Sequence, residues 1–129
     1  MPIPATFRSS MKKLNEARLT SKGHAAGRFA SDLWANEEGA KAYVAERGDV
    51  AAGATLIVEH FETVRGETVP GPVMMMTKLA RATDPTRGDW AFTVQDSKGA
   101  LLDDSDTALC AGCHEAAPHD YVFHVYDVK

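Results

Sequence analysis

The chain's only two cysteines stand in a single five-residue word, Cys110-Ala111-Gly112-Cys113-His114, close to the C-terminal end. The spacing C-x-x-C-H reads as covalent attachment of a c-type haem. Two thiols one helical turn apart can each add to one vinyl group of the same porphyrin. The histidine that follows then lies under the iron as its proximal ligand. The tether holds the cofactor even where a small protein cannot engulf it, so the expected cofactor is one covalent haem c with its iron. Three other readings use the same residues. A redox dithiol shares C-x-x-C but belongs near a βαβ pattern, absent around this late helix. A zinc site would recruit Cys110, Cys113 and two of His114, His119 and His124, at spacings that match no common finger. A disulfide across two intervening residues is the third.

The remaining 124 or so positions must build a fold behind this word, and their number, about that of one ordinary domain, suits a single haem domain over 1–129. The chain has 44% apolar and 25% charged residues, as soluble globular proteins do. A net charge of −4 and mixed charge signs argue against a nucleic-acid partner, which selects a basic stripe. No apolar run reaches the roughly 18 residues of a membrane span. The opening Met1 to Thr20 lacks the apolar core of a secretory signal. Covalent haem attachment normally takes place outside the bacterial cytoplasm, so the expected location is periplasmic, with a leader removed from this numbering.

Hydrophobic periodicity organises the rest. Phe7, Met11, Leu14 and Leu19 are spaced as one face of a helix from Ala5 to about Leu19. Residues 28–34 read as a first strand. Asn36-Glu37-Glu38 is a helix start, continued by Ala40 to Arg47 until Gly48. Residues 54–61 and 73–79 read as strands separated by turns at Arg65-Gly66-Glu67 and Pro70-Gly71-Pro72. Residues 89–95 alternate as a strand and turn through Asp96-Ser97-Lys98-Gly99 toward Leu101. Asp103 to Asp106 offer caps for the cysteine-bearing helix, and Tyr121 to Tyr126 read as a last strand. The expected fold class is α+β, mainly antiparallel β-sheet with a few short helices.

The order of several words makes the chain similar to the cytochrome c-prime-beta family and its relative cytochrome P-460. They are His24-Ala25-Ala26-Gly27-Arg28-Phe29 leading to Trp34-Ala35-Asn36, Gly53 to Val58, Gly71-Pro72-Val73 to Lys78, Gly88 to Phe92, Cys110 to Glu115, and Asp120 to Phe123. The resemblance covers roughly residues 22–123. It implies a homodimer with a curved antiparallel sheet and a haem between a histidine and a pocket. In cytochromes c-prime-beta that pocket is apolar, lacks a sixth protein ligand and binds nitric oxide. In cytochrome P-460 a lysine is cross-linked to the porphyrin and the enzyme oxidises hydroxylamine.

The distal side is where the readings part. Phe61 and Phe29 are candidates to cap an apolar pocket open to nitric oxide or another small diatomic, or they are ordinary core aromatics. Met74, Met75 and Met76 alternate faces of a strand, so either face offers a thioether. A sixth ligand from this stretch would give a His/Met electron carrier serving a redox partner protein, whereas packing alone would make them gap-fillers. Lys78 is the candidate for a cross-link, although a solvated strand-end lysine suits its position better. Glu59 and His60 stand where relatives show lysine and glutamate; Glu59 is a candidate proton acceptor and His60 a second distal candidate. His24 fits local structure or the haem edge, His60, His119 and His124 fit surface or partner-bonded positions better than ligation, and Arg28 and Arg81 fit the haem propionates.

Overall fold

The computed structural model describes residues 2–25, 27–45, 48–102, 104–117 and 119–123. The Asp103 cap, His124 and the end of the expected last strand lie outside these. The described elements are α1 (Phe7–Ser10), β1 (Lys12–Lys13), β2 (Leu19–Thr20), β3 (Ala30–Ala35), α2 (Glu37–Val44), β4 (Thr55–Val64), β5 (Glu67–Lys78), a 3₁₀ turn (Pro85–Arg87), β6 (Trp90–Gln95) and α3 (Asp104–His114). The strands form a six-stranded sheet in the order β1-β3-β4-β5-β6, with β2 also on β3. Every pairing is antiparallel, as the sequence led one to expect of the fold class.

Three elements differ from the periodicity. The first helix stops at Ser10, because Met11 is extended and the chain then pairs with β3. Asn15, between the two short strands, accepts the Leu33 N–H at 2.8 Å and donates to Asp32 Oδ1 at 3.0 Å. An isolated short helix is marginal in water, and the edge of β3 offers backbone partners that such a helix lacks. Pro70-Gly71-Pro72 is not a turn but part of β5. The turn is Arg65-Gly66, both with positive φ (52° and 80°), the conformation that a two-residue hairpin requires. The prolines are accommodated at a register slip between Glu59 and Phe61, where strands tolerate them. Gly71 passes so close to β4 that a Cβ there would stand 3.1 Å from the His60 carbonyl oxygen. Finally, the described part of the expected last strand, residues 121–123, contributes only an isolated bridge between His119 and Val122.

Both sheet faces are covered. On one, Leu33, Leu56, Met76, Trp90 and Phe92 pack with Tyr43 of α2 and Ala111 of α3. On the other, Ile57, Val73 and Met75 pack with Ile3 and Phe7 from the first residues. Asn36 caps α2 through its Oδ1, which accepts from Gly39 N at 2.8 Å and Thr55 N at 2.9 Å, so the same side chain fixes the helix to the start of β4.

Candidate haem site

Helix α3 carries the C-x-x-C-H word across the first of these faces. Its Thr107 and Ala111 are buried against the sheet, which leaves Cys110 half-buried and Cys113 exposed, both as free thiols. Three residues apart on a helix, they lie on one side of it. Both border a cavity of about 220 Å³ between α3 and the sheet. Its walls are almost wholly apolar, with Leu33, Leu56, Val58, Met74, Phe92 and Val94 from four strands. Burial pushes the Cys110 thiol pKa up, which keeps it in the S–H form.

His114 ends α3 with its ring between those of Phe92 and Phe123, at 5.3 and 5.1 Å. Its Nδ1 lies 2.7 Å from the Tyr121 carbonyl oxygen. A carbonyl only accepts, so Nδ1 carries the proton and Nε2 keeps a lone pair. Metal-bound histidines are oriented in this way. Burial lowers the pKa of His114, which favours the neutral ring. The carbonyl is itself held in place. Asp120 and Tyr121 both take positive φ (42° and 67°), and the Trp90 indole N–H donates to the Asp120 carbonyl at 3.0 Å. The Asp120 carboxylate accepts from Lys78 Nζ at 2.7 Å and from Val50 N at 2.8 Å. Lys78 also donates to the Gly88 carbonyl at 3.0 Å. The ion pair is nearly closed to water, its side chains only 12% and 14% exposed.

Lys78 is therefore not the solvated residue its sequence position suggests, and its amine is engaged away from the cavity wall. Glu59 is on the opposite sheet face, where Arg8 binds its carboxylate and the Trp34 indole donates to it at 3.2 Å. Phe61 is on that opposite face too, beneath the Arg18 guanidinium at 3.6 Å, and Phe29 packs on His60 with ring centroids 4.9 Å apart. Neither aromatic is in the cavity wall, whose rings are Tyr43, Phe92 and Phe123. All three methionines border the cavity; Met74 and Met76 stand on its face of the sheet, while Met75 packs in the cluster behind the sheet. Arg28 is engaged at the surface by Glu62 at 3.0 Å, and Arg81 is exposed. The periodicity of residues 89–95 and the family word ending in Phe123 contain two of the wall aromatics, Phe92 and Phe123, but nothing in either distinguished them from other core rings.

His60 and His119 are buried, at 0% and 3% exposure. His60 Nδ1 lies 2.7 Å from the Pro72 carbonyl oxygen. Its Nε2, like the hydroxyl of its cross-strand partner Ser31, is buried without a hydrogen-bond partner among the described residues. Desolvation lowers the pKa of His60. His24, on the loop before β3, borders the cavity. Its ring centroid is 5.3 Å from that of His60 and 6.4 Å from that of His114. Burial, with the proximity of His60 and then His114, lowers its pKa to about 4.

These residues fit a haem. Two free thiols on one helix side meet an apolar cavity, and the adjacent imidazole has its Nδ1 proton occupied and Nε2 left for a metal. Among the described residues no cluster of three or more His, Cys, Asp or Glu side chains suits a metal ion, so the zinc reading gains nothing. No described helix is long and apolar enough to cross a membrane. A search of the curated proteins finds no match. The family model described as Cytochrome P460 matches residues 4–124.

Proposed function

The chain belongs to the cytochrome P460 family and is a haem-binding cytochrome, and from that premise we propose that it is a periplasmic mono-haem c-type protein that binds nitric oxide or another small uncharged diatomic. The observation that carries this reading is the apolar cavity bordered by both motif cysteines. Cys110 and Cys113 would form the two thioether tethers, and His114 would hold the iron. When bound, the haem supplies an iron that accepts electrons and small neutral ligands. The Tyr121 carbonyl keeps the proton on His114 Nδ1 and so leaves Nε2 as the nitrogen that would bind the metal. Leu33, Leu56, Val58 and Val94 disfavour water and anions, which lose hydration on entering such walls. Homodimerisation belongs to the same reading and rests on the resemblance.

A second reading, a His/Met electron carrier, is favoured by the place of Met74 and Met76 on the cavity side. Hydroxylamine oxidation through a lysine-modified haem finds no support in Lys78 or Glu59, whose side chains are engaged elsewhere. The deciding measurement is the optical spectrum of the reduced protein before and after nitric oxide. A spectrum that converts on adding the gas supports a gas-binding site, and a sharp low-spin spectrum inert to it supports the His/Met carrier. Haem that survives acid-acetone extraction in the Cys110→Ser/Cys113→Ser double variant would sink the attachment.

A further inference from the structure

The iron's second axial position has a candidate that neither the methionines nor the phenylalanines anticipated. A metal–imidazole nitrogen bond is about 2.0–2.1 Å, and a ring nitrogen lies roughly 1.1 Å from its centroid, so two imidazoles on opposite sides of one metal have centroids about 6.3 Å apart. The rings of His24 and His114 are 6.4 Å apart with an interplanar angle of 39°. His24 borders the same cavity as Cys110 and Cys113.

Two features hold His24 in that position. Its loop is closed at the base by Ser21, which is 2% exposed. The Ser21 N–H donates to the Phe29 carbonyl at 2.9 Å, its hydroxyl donates to the Ala25 carbonyl at 3.0 Å, and the Phe29 N–H donates back to that hydroxyl at 3.1 Å. Behind His24 stands His60, edge-on at 69° and anchored by the Pro72 carbonyl. A fully buried ring thus backs His24 on one side.

We propose that His24 is an exchangeable sixth ligand that occupies the iron face opposite His114 in the resting protein and gives way to the diatomic. This rests on the haem-binding reading above and adds a gate to the same site. His24 is brought to the cavity by a loop, not by the sheet, so its withdrawal leaves the apolar walls intact. A resting occupancy of nine molecules in ten would lower the apparent affinity for the gas about tenfold relative to an open site.

The test compares the holoprotein with its His24→Ala variant by resonance Raman and optical spectroscopy, with and without nitric oxide. The proposal expects a low-spin wild type that converts on adding the gas. It expects a high-spin variant that binds the gas about tenfold more tightly, and a low-spin spectrum restored by added imidazole. Restoration by a free ligand separates lost ligation from general damage. A high-spin wild type overturns the proposal, and so does a variant that stays low-spin, which would put Met74 or Met76 on the iron. Failure of the underlying reading looks different: a His114→Ala variant with unaltered spectra removes the proximal ligand, and with it the opposed pair on which the gate depends.

Discussion

Replacing Lys78 with methionine removes the ammonium from Asp120 while keeping most of the stem's volume. What remains is a carboxylate 14% exposed with one backbone donor, Val50 N, on the oxygen that lost its cation, and a Gly88 carbonyl without its amine. Removing one partner of a buried pair costs about 3–5 kcal/mol. The surviving Val50 bond and the residual exposure reduce this, so the expected loss is about 2–3 kcal/mol. At roughly 3–5 °C per kcal/mol for a domain of this size, the melting temperature should fall by about 6–15 °C. Denaturant unfolding of the holoprotein, followed by circular dichroism, should show a lower midpoint with an unchanged slope. Asp120→Asn and the double variant complete a cycle whose coupling should exceed about 1 kcal/mol. A loss below about 0.5 kcal/mol, the level of an exposed pair, would refute the placement of this bridge in the interior. The same variant bears on the iron. On the proposed ligation by His114, loosening the Tyr121 carbonyl weakens the hydrogen bond to Nδ1, would make the ligand less basic, and should raise the reduction potential in a redox titration.

Other expectations follow from single contacts. Met75→Ala should cost about 2–5 kcal/mol and leave the haem spectrum unchanged, because Met75 packs behind the sheet with Ile57 and Val73; a changed spectrum would refute that placement. Gly39→Ala, usually stabilising inside a helix, should here cost about 1–3 kcal/mol by thermal melting, since the new Cβ would stand 2.1 Å from the Thr55 carbonyl oxygen. Stability should also depend on acid. His60, which the proposed ligation leaves off the iron, has a folded pKa below the usual 6.5, so the unfolded chain binds more protons than the folded one below that pH. Its contribution is fully present above about pH 6.5 and is lost as pH falls below it. Unfolding series across that window should show the decline, and His60→Asn should flatten it; an unchanged slope would show that His60 does not take part.

The sequence made the haem-binding family legible and left the surroundings of the site open, for physical reasons. Cys110, Cys113 and His114 are adjacent, so their relation needs no tertiary structure. The strands and the Asn36 cap were readable because each rests on local pattern. Which way each strand faces was not. In β4 both Leu56-Val58-His60 and Ile57-Glu59-Phe61 are largely buried, so alternation cannot say which set meets the cysteine helix. That one ambiguity misplaced Phe61 and Glu59 and left the choice among Met74, Met75 and Met76 open. Lys78 read as solvated because its partner, Asp120, is 42 positions away. The first helix was overextended because Leu14 and Leu19 serve the edge of β3, whose existence their spacing does not reveal.

The cavity and the motif beside it differ in the distance along the chain over which each is assembled. Both cysteines and His114 fall within five consecutive residues, whereas the cavity wall draws on residues from Gly23 to Phe123. On the proposed attachment, the tether can form on a chain that has not yet folded, at almost no loop-closure cost. Enclosing the cofactor instead requires contacts of high sequence separation, the slow kind in folding. The porphyrin would then be an early, covalently fixed apolar surface on which β3 to β6 condense.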